Sequence, residues 1–199
     1  VIRMGKGVNK KLKINNKNFL DYAKSKYRSD FLDIFLMSNS FFNIVSESGL
    51  LLTSHIYNIP NCFVNLAVIK GCQTWYDKNL VIFKKIWSLK HKKYLSLKEI
   101  NFLSDPKNYF KPNIRNYNTV YFFEDKKQYK IINNTSKEIL DAVIETEKKT
   151  INNNWNKRSG FSLENLFWSK FPYEKFYHGL KIRSHIGLQF IKDNKYLVK

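Results

Sequence analysis

Residues 41–66 read FFNIVSESGLLLTSHIYNIPNCFVNL. The short apolar run Phe41–Val45 is typical of a buried strand. An apolar stretch of helical length follows, beginning at Ser48 or the next residue and continuing through Tyr57. Because this stretch is apolar on most sides, we expect its helix to be buried. Cys62–Leu66 then forms the next strand, so the segment predicts a strand, a helix and a strand in succession.

The residues before this segment extend the same alternation. Leu20–Met37 predicts a helix, because Phe31, Ile34 and Phe35 share one helical face. Val1–Met4 predicts the end of an earlier strand. Short apolar strands that alternate with helices indicate a parallel sheet. We therefore expect an α/β fold with a Rossmann-like parallel sheet and helices on both faces.

Two helix starts stand out in the second half of the chain. Ser96 and Glu99 have the spacing of a capping box, which should open a helix. Thr135 and Glu138 have the same spacing and predict a second helix. Two further short runs predict strands, Val120–Phe123 and Tyr129–Ile132.

The end of the chain predicts a linker and terminal helices. Ile151–Gly160 is polar and predicts the linker, while Ser162–Lys170 and Leu180–Lys192 predict the helices. We therefore divide the chain into a domain over residues 1–150 and a carboxyl-terminal segment over residues 151–199.

The composition is strongly basic. The chain has 35 Lys and Arg residues against 16 Asp and Glu residues, a formal net charge of +19. A field this positive favours anionic partners such as nucleotides, an anionic membrane surface or nucleic acid. The lysines are scattered, and arginine, the usual reader of bases, is scarce. Both facts argue against nucleic acid as the partner.

The cysteines and the apolar runs indicate the cellular compartment in which the protein is expected. Cys62 and Cys72 are the only cysteines, and so few in a core-forming chain indicate reduced thiols in the cytoplasm. No run reaches the roughly 18 apolar residues of a membrane span, and no signal peptide is visible. We expect a cytoplasmic protein with, at most, a peripheral contact at the inner face of the membrane. The four histidines show no metal-ligand spacing with cysteines or acids, so no metal site is predicted.

The polar corner Ser46–Gly49 lies between the predicted strand and its helix. Ligands of parallel sheets bind at the carboxyl ends of the strands, and a helix start offers unpaired N–H groups and a positive dipole. Ser46 and Ser48 would add hydroxyl donors, and Gly49 would let a phosphate approach the backbone. The alternative is ordinary N-capping by Ser48. Glu47 would accept hydrogen bonds from sugar hydroxyls, or is a solvated charge.

Three other polar residues have two interpretations each. Arg3 ends a predicted strand and is either a phosphate ligand or one half of a surface ion pair. Asn65 ends a strand at the same edge as Ser46, where it binds a donor molecule or caps a loop. His55 lies inside a helix that we expect to be buried, which favours a core histidine over a ligand or a base.

Residues 21–50 contain the blocks DYAKSKYRSDFLDIFL and FFNIVSESGL. This stretch is the most specific part of a resemblance to a family of bacterial GT-B-type glycosyltransferases that make surface carbohydrate. VIRMG at 1–5 and NIPNCFVN at 58–65 are similar to neighbouring family blocks. Looser likenesses are YLSLKEI at 94–100, IINNTSKEILDAVIE at 131–145 and IGLQFIKDNKYLV at 186–198.

The resemblance implies the carboxyl-terminal, donor-binding half of such an enzyme. A nucleotide-sugar donor would bind to residues 1–150, and its sugar would pass to a glycan acceptor. Ser46, Ser48 and Gly49 would face the donor phosphates, with Arg3 and Gly5 at the neighbouring strand end. The chain has no D-x-D motif, so diphosphate binding without metal is expected, and no cofactor besides the donor substrate.

Two departures from the family limit this resemblance. Lys6 follows Gly5 where the family has an acid, so any contact of that acid with the donor is lost or changed. The family's region before VIRMG, with an acceptor domain, has no counterpart here. We therefore expect a fragment that needs a missing half or a second copy of itself, with no catalytic base assigned. The alternative is a noncatalytic basic α/β module that binds anionic partners or a protein.

Overall fold

A computed structural model describes residues 1–46, 48–66, 73–103, 127–156, 162–171 and 182–199. The helices are α1 (Asp30–Ser38), α2 (Leu51–Ile56), α3 (Leu97–Leu103), α4 (Ser136–Ile151), α5 (Ser162–Lys170) and α6 (Leu188–Asp193). The strands are β1 (Asn43–Val45), β2 (Asn61–Leu66), β3 (Asn79–Phe83), β4 (Lys85–Ser88), β5 (Lys93–Tyr94), β6 (Tyr129–Ile132) and β7 (His185–Ile186). Two 3-10 turns cover Tyr22–Lys24 and Lys195–Val198.

The central sheet has four strands in the order β1-β2-β3-β7, and every pair is parallel. The predicted succession of strand, helix and strand is present as β1, α2 and β2. The expectation of an α/β fold built on a parallel sheet is therefore confirmed, and the sheet is compatible with a Rossmann-like arrangement.

Three asparagines lie side by side on one face of this sheet. Asn43 pairs with Asn61, and Asn61 with Asn79, in the register of neighbouring strands. The Asn61 Nδ2 atom donates to Asn79 Oδ1 at 3.1 Å, and Asn43 Nδ2 donates to Ser54 Oγ of α2 at 3.0 Å. Buried amides need such partners, because an unpaired one costs about 1–3 kcal/mol. The ladder therefore fixes both the strand register and the position of α2.

The opposite face of the sheet is covered by α4. Cys62 points there, because successive side chains of a strand alternate between faces, and its thiol contacts the hydroxyl of Thr146 on α4. Helices therefore lie on both faces, α2 on the asparagine face and α4 on the cysteine face.

The carboxyl-terminal segment belongs to the same core as the rest of the chain. β7 pairs with β3 in the centre of the fold. Phe167 of α5 is 0% exposed, as is Ile191 of α6, and Trp155, in the predicted polar linker, is buried at 3%. The division of the chain at residue 150 therefore passes through one continuous hydrophobic core.

A second, antiparallel sheet follows directly from the first. Lys84 alone separates β3 from β4, which forms the centre of a sheet with the order β5-β4-β6. The predicted strand Tyr129–Ile132 is β6, whereas Val120–Phe123 lies outside the described residues. Both predicted capping boxes are present, the first between Ser96 and Glu99 and the second at the start of α4.

The predicted helix Leu20–Met37 is wrong over its first half. The α-helix begins only at Asp30, because the Ser29 side chain caps it by accepting the Leu32 N–H. Before that point the chain makes only the short 3-10 turn. The predicted strand Val1–Met4 is reduced to one parallel bridge between Ile2 and Leu20.

Two further expectations about helices are corrected. We expected α2 to be buried, but only Leu51 and Ser54 are buried and Ile56 is 77% exposed. Within the described part of the chain, β1 lies at the edge of the sheet, so this helix has little to pack against. The prediction of one helix over Leu180–Lys192 is wrong in part. This range includes the strand β7, and the helix α6 begins only after Gly187.

Cys62 is expected to be inert towards thiol reagents in the native protein. It is 0% exposed, and burial raises the pKa of its thiol to about 12. Since the thiolate is the reactive form, its alkylation at pH 8 should be at least about a thousandfold slower than that of an ordinary cysteine. A Cys72→Ser variant isolates this thiol, and iodoacetamide labelling followed by mass spectrometry measures the rate. The same variant in guanidinium serves as the control, and fast native labelling would show that the face beneath α4 is open.

Candidate functional site

The predicted anion site lies where β1 ends and α2 begins. Ser46, Ser48 and Gly49 are all exposed there, and Glu47 lies outside the described residues. The N-cap residue of α2 is Leu50, and no side chain caps this helix. Ser48 accepts the Leu51 N–H at 3.3 Å through its backbone carbonyl only. The interpretation of Ser48 as an ordinary side-chain N-cap is therefore wrong.

The two serine hydroxyls of this corner have no partner among the described residues. Neither Ser46 Oγ nor Ser48 Oγ takes part in a hydrogen bond there. Gly49 is equally unconstrained, since a Cβ atom added to it would meet no atom within 4 Å and its φ angle is not positive. Neither packing nor backbone conformation requires a glycine at this position. The corner is thus an open surface with two unused hydroxyl groups at the carboxyl end of a parallel strand.

Arg3 forms an ion pair within the amino-terminal segment. Its Nη1 atom lies 3.2 Å from Asp21 Oδ2 and donates to the Lys10 carbonyl at 2.9 Å. Asp21 also accepts the Leu12 N–H at 2.8 Å. Of the two interpretations of Arg3, the structure shows the ion pair. Gly5 has a φ of 130°, which glycine adopts readily, and precedes a bend at Lys6 and Gly7.

No hydrogen bond or ion pair of the described residues joins this segment to the corner. The assignment of Arg3 and Gly5 to one site with Ser46, Ser48 and Gly49 therefore stays a prediction.

Asn65 ties two distant parts of the chain together. Its backbone N–H donates to Asn134 Oδ1 at 2.6 Å, and the Asn134 N–H donates to Asn65 Oδ1 at 2.6 Å. Asn134 Nδ2 also donates to the Phe83 carbonyl at 2.8 Å. This arrangement holds the start of α4 against the carboxyl edge of the sheet. Of the two interpretations of Asn65, the structure shows the one in which its side chain caps a loop.

The amino terminus of α4 lies at the same edge, but its own side chains satisfy it. Glu138 accepts the Thr135 N–H at 2.7 Å, and Lys85 Nζ lies 2.8 Å from its Oε1. Burial alone would raise the pKa of Glu138, but the hydrogen bonds from Lys85, Thr135 and Asn194 outweigh it and lower this pKa. A carboxylate already occupies the position where an anion would bind this helix.

His55 is held by contacts outside the corner. Its Nε2 atom lies 3.4 Å from Asn79 Oδ1, and its ring centroid is 4.4 Å from that of Tyr76. Burial lowers its pKa despite the contact with Asn79. These contacts are those of a structural histidine, but His55 is only half-buried and does not lie in the core as the sequence favoured.

A buried charged cluster was not predicted from the sequence. The Nδ1 atom of His185 lies 3.2 Å from Glu164 Oε1, and its Nε2 atom lies 2.8 Å from the Trp155 carbonyl. Glu145 and Lys149, one turn apart on α4, complete the cluster. Burial raises the pKa of Glu145, although the Leu188 N–H donates to it. Glu164 and His185 are each 1% exposed, so the cluster is closed to substrates and joins α4, α5 and β7.

The sequence also gave no prediction of an open pocket beside the second sheet. This pocket has a volume of about 960 Å³ and lies between β4, β5, α3 and the last 3-10 turn. Aromatic and basic residues contribute much of its lining: Trp87, Tyr94, Phe102, Tyr196, Lys93, Lys98 and Lys199. The mixture of aromatic and basic residues before Lys93 was the only sequence signal for this pocket. That mixture does not show that α3 and Tyr196 form the other walls of the pocket.

The described residues contain no cluster of three or more His, Cys, Asp or Glu side chains that could hold a metal ion. None of the helices within those ranges has the length and apolar character to cross a bilayer.

No protein-family model matches the chain, and neither a curated protein nor a solved structure matches it significantly. The fold and the corner therefore define a basic α/β protein with an open polar site at the carboxyl edge of its parallel sheet. The likeness of its sequence blocks to glycosyltransferases stays a prediction.

Proposed function

We propose that this protein is the donor-binding half of a glycosyltransferase, which binds a nucleotide-sugar for transfer of the sugar to a glycan acceptor. The observation that carries the proposal is the corner between β1 and α2. It presents two serine hydroxyls that have no hydrogen-bond partner among the described residues. Beside them lies Gly49, a glycine that neither packing nor backbone conformation requires. Ligands of parallel sheets bind at this edge, and a hydroxyl-lined open turn suits the oxygen atoms of a diphosphate.

The chemistry of the corner follows from its donors and from the overall charge. Ser46 and Ser48 would donate hydrogen bonds to phosphate oxygens, and Gly49 would let these oxygens approach the backbone. The net charge of +19 raises the local concentration of an anionic donor. Hydroxyl groups that donate to phosphate oxygens would also stabilise the charge that grows on a departing diphosphate. In this proposal the corner binds the diphosphate and supports its departure, and the acceptor and the general base come from elsewhere.

Gly49→Asp is expected to abolish binding of nucleotide diphosphates and nucleotide-sugars. The new carboxylate would repel the phosphate and fill the space that Gly49 leaves open. Ser48→Ala should weaken binding by about 1 kcal/mol, or about fivefold, since it removes one hydrogen bond. Isothermal titration calorimetry with UDP, GDP and CDP and their common sugar esters measures both effects.

Gly7→Asp is the matched control for the charge. A Cβ atom at Gly7 also meets no atom within 4 Å, so this variant adds the same charge at an equally open glycine away from the corner. Equal affinity of folded Gly49→Asp and Gly7→Asp proteins for these ligands would reject the corner as the donor site.

A further inference from the structure

The pocket beside the second sheet has walls that the fold holds in place. Tyr94 stacks on Tyr196 with ring centroids 5.0 Å apart and 20° between the planes. Trp87 meets Tyr94 edge to face at 4.9 Å. Trp87 and Tyr94 are also cross-strand partners of β4 and β5. Aromatic pairs in these geometries stabilise one another beyond their burial, so the aromatic wall exists before any ligand binds.

The opposite wall is fixed through α3. The Glu99 carboxylate accepts hydrogen bonds from the Ser96 N–H at 2.9 Å and the Ser96 hydroxyl at 3.0 Å. It also pairs with Lys93, so its negative charge is balanced within the pocket. Lys98, one position before it, is exposed and makes no hydrogen bond or ion pair with any described residue. The pocket therefore presents a positive charge at Lys98 that no described residue balances, and Lys199 adds a further exposed lysine to its lining.

The C-terminal side of the pocket is held by a buried ion pair. Lys85 Nζ lies 2.8 Å from Glu138 Oε1, and the same oxygen accepts the Asn194 side-chain N–H at 3.2 Å. Asn194 directly precedes the 3-10 turn that carries Tyr196. The position of the Tyr196 ring thus depends on contacts with both β4 and α4.

We infer that this pocket binds a nucleoside phosphate, with the base against the aromatic side chains and the phosphate at Lys98. Every nucleobase has a flat π-face, so any of the bases can stack on aromatic side chains. Lysine binds phosphate as a point charge. A volume of about 960 Å³ lies within the range of small-molecule sites. The inference is independent of the proposed function, because the pocket and the corner share no residue.

Free nucleotides and the ends of single-stranded nucleic acid both supply this ligand chemistry. The experiment therefore titrates four mononucleotides, their nucleosides, inorganic phosphate and a short oligothymidylate against the whole 199-residue chain. Quenching of tryptophan fluorescence is the readout, because a base stacked in the pocket lies beside Trp87. Trp87→Phe keeps an aromatic ring there and should remove most of the quenching while binding, followed by equilibrium dialysis, persists.

Two substitutions test the assigned roles. Lys98→Glu should weaken mononucleotide binding about tenfold or more, because it replaces the phosphate partner with a like charge. Phe102→Ala should weaken it by a similar factor through lost stacking. Phe102 is 67% exposed and Lys98 is also exposed, so both variants should fold. Lys148→Glu, an equal charge change at the far end of α4, is the control and should have little effect.

The outcomes separate this site from the corner. Mononucleotide binding that Lys98→Glu weakens and Gly49→Asp leaves intact supports the pocket. Binding lost in Gly49→Asp but unchanged in Lys98→Glu overturns the inference and favours the corner alone. Equal losses in Lys98→Glu and Lys148→Glu would mean general attraction to a basic surface and would also overturn it, as would the absence of any nucleotide binding. Tighter binding of the oligothymidylate than of thymidine monophosphate, still sensitive to Lys98→Glu, identifies a strand end as the source.

Discussion

Phe167→Ala is expected to lower the free energy of unfolding by about 3–5 kcal/mol, the usual range for a buried phenylalanine. Phe167 is 0% exposed, and its ring lies 5.8 Å from that of Phe83 in the central sheet. It also meets the rings of Trp168 and Phe171 at 5.0 and 5.8 Å. Alanine would leave a cavity among these rings that the rigid sheet cannot collapse to fill. Urea unfolding followed by circular dichroism measures the loss.

Phe31→Ala is the matched control for this substitution. Phe31 lies on α1 and is 73% exposed, so the same chemical change should cost about 0.5 kcal/mol or less. Similar losses for the two variants would contradict the conclusion that α5 shares the core of the parallel sheet. Two unfolding transitions in the Phe167→Ala variant, in place of one cooperative transition, would place residues 151–199 in a separate folding unit.

Lys85→Ala is expected to cost about 1–3 kcal/mol, because it leaves the largely buried Glu138 carboxylate without its charged partner and with only the Thr135 and Asn194 donors. The Lys85 and Glu138 side chains are only 10% and 11% exposed. The pair joins β4 to α4, and Asn194 adds a hydrogen bond from the end of α6. Removing the Lys85–Glu138 pair should therefore loosen both the second sheet and the C-terminal turn. Thermal unfolding at pH 7 measures the total loss of stability.

The pH dependence of this pair has a definite sign. The pKa of Glu138 is lowered in the folded protein from an ordinary value of 4.5, so the unfolded chain binds this proton more readily. The stabilisation by the pair is then present above about pH 4.5 and is lost as the pH falls through the folded pKa. The stability difference between wild type and Lys85→Ala should shrink towards acid pH.

Lys137→Ala provides the comparison for an exposed ion pair. Lys137 pairs with Asp141 one turn away on the same helix, and its side chain is 73% exposed. Exposed pairs of this kind contribute little to stability, so Lys137→Ala should lower the stability far less than Lys85→Ala. A Lys85→Ala variant as stable as Lys137→Ala would show that the pair between β4 and α4 does not stabilise the fold.

Local patterns predicted those parts of the fold that local contacts determine. The two capping boxes place donor and acceptor three residues apart, so the sequence shows them directly. Ser162–Lys170 was predicted at the bounds of α5, and β1, α2 and β2 followed from the length of their apolar runs. The strand β7 was missed, because two residues carry no periodicity and the apolar residues of α6 follow at once.

The candidate site was predictable only where its residues are neighbours in the chain. Ser46, Ser48 and Gly49 lie within four positions, and the end of a strand brings them to one edge. Asn65 and Asn134 are 69 residues apart, and no local pattern shows that they pair. The pocket combines side chains from β4, α3 and the last turn, which only the folded chain brings together.

The edge strand β1 has a consequence for how the protein behaves in concentrated solution. Its outer backbone has no neighbouring strand in the described part of the chain. Phe41 before the strand and Ile44 within it are 56% and 49% exposed. Such an edge is a template for molecules to add to one another strand by strand. The net charge of +19 opposes this by mutual repulsion, which salt screens to a range of about 3 Å at 1 M ionic strength. Electrostatic repulsion between molecules should therefore keep the protein in solution. At high salt, precipitation should begin with strand-by-strand growth from the β1 edge of the sheet.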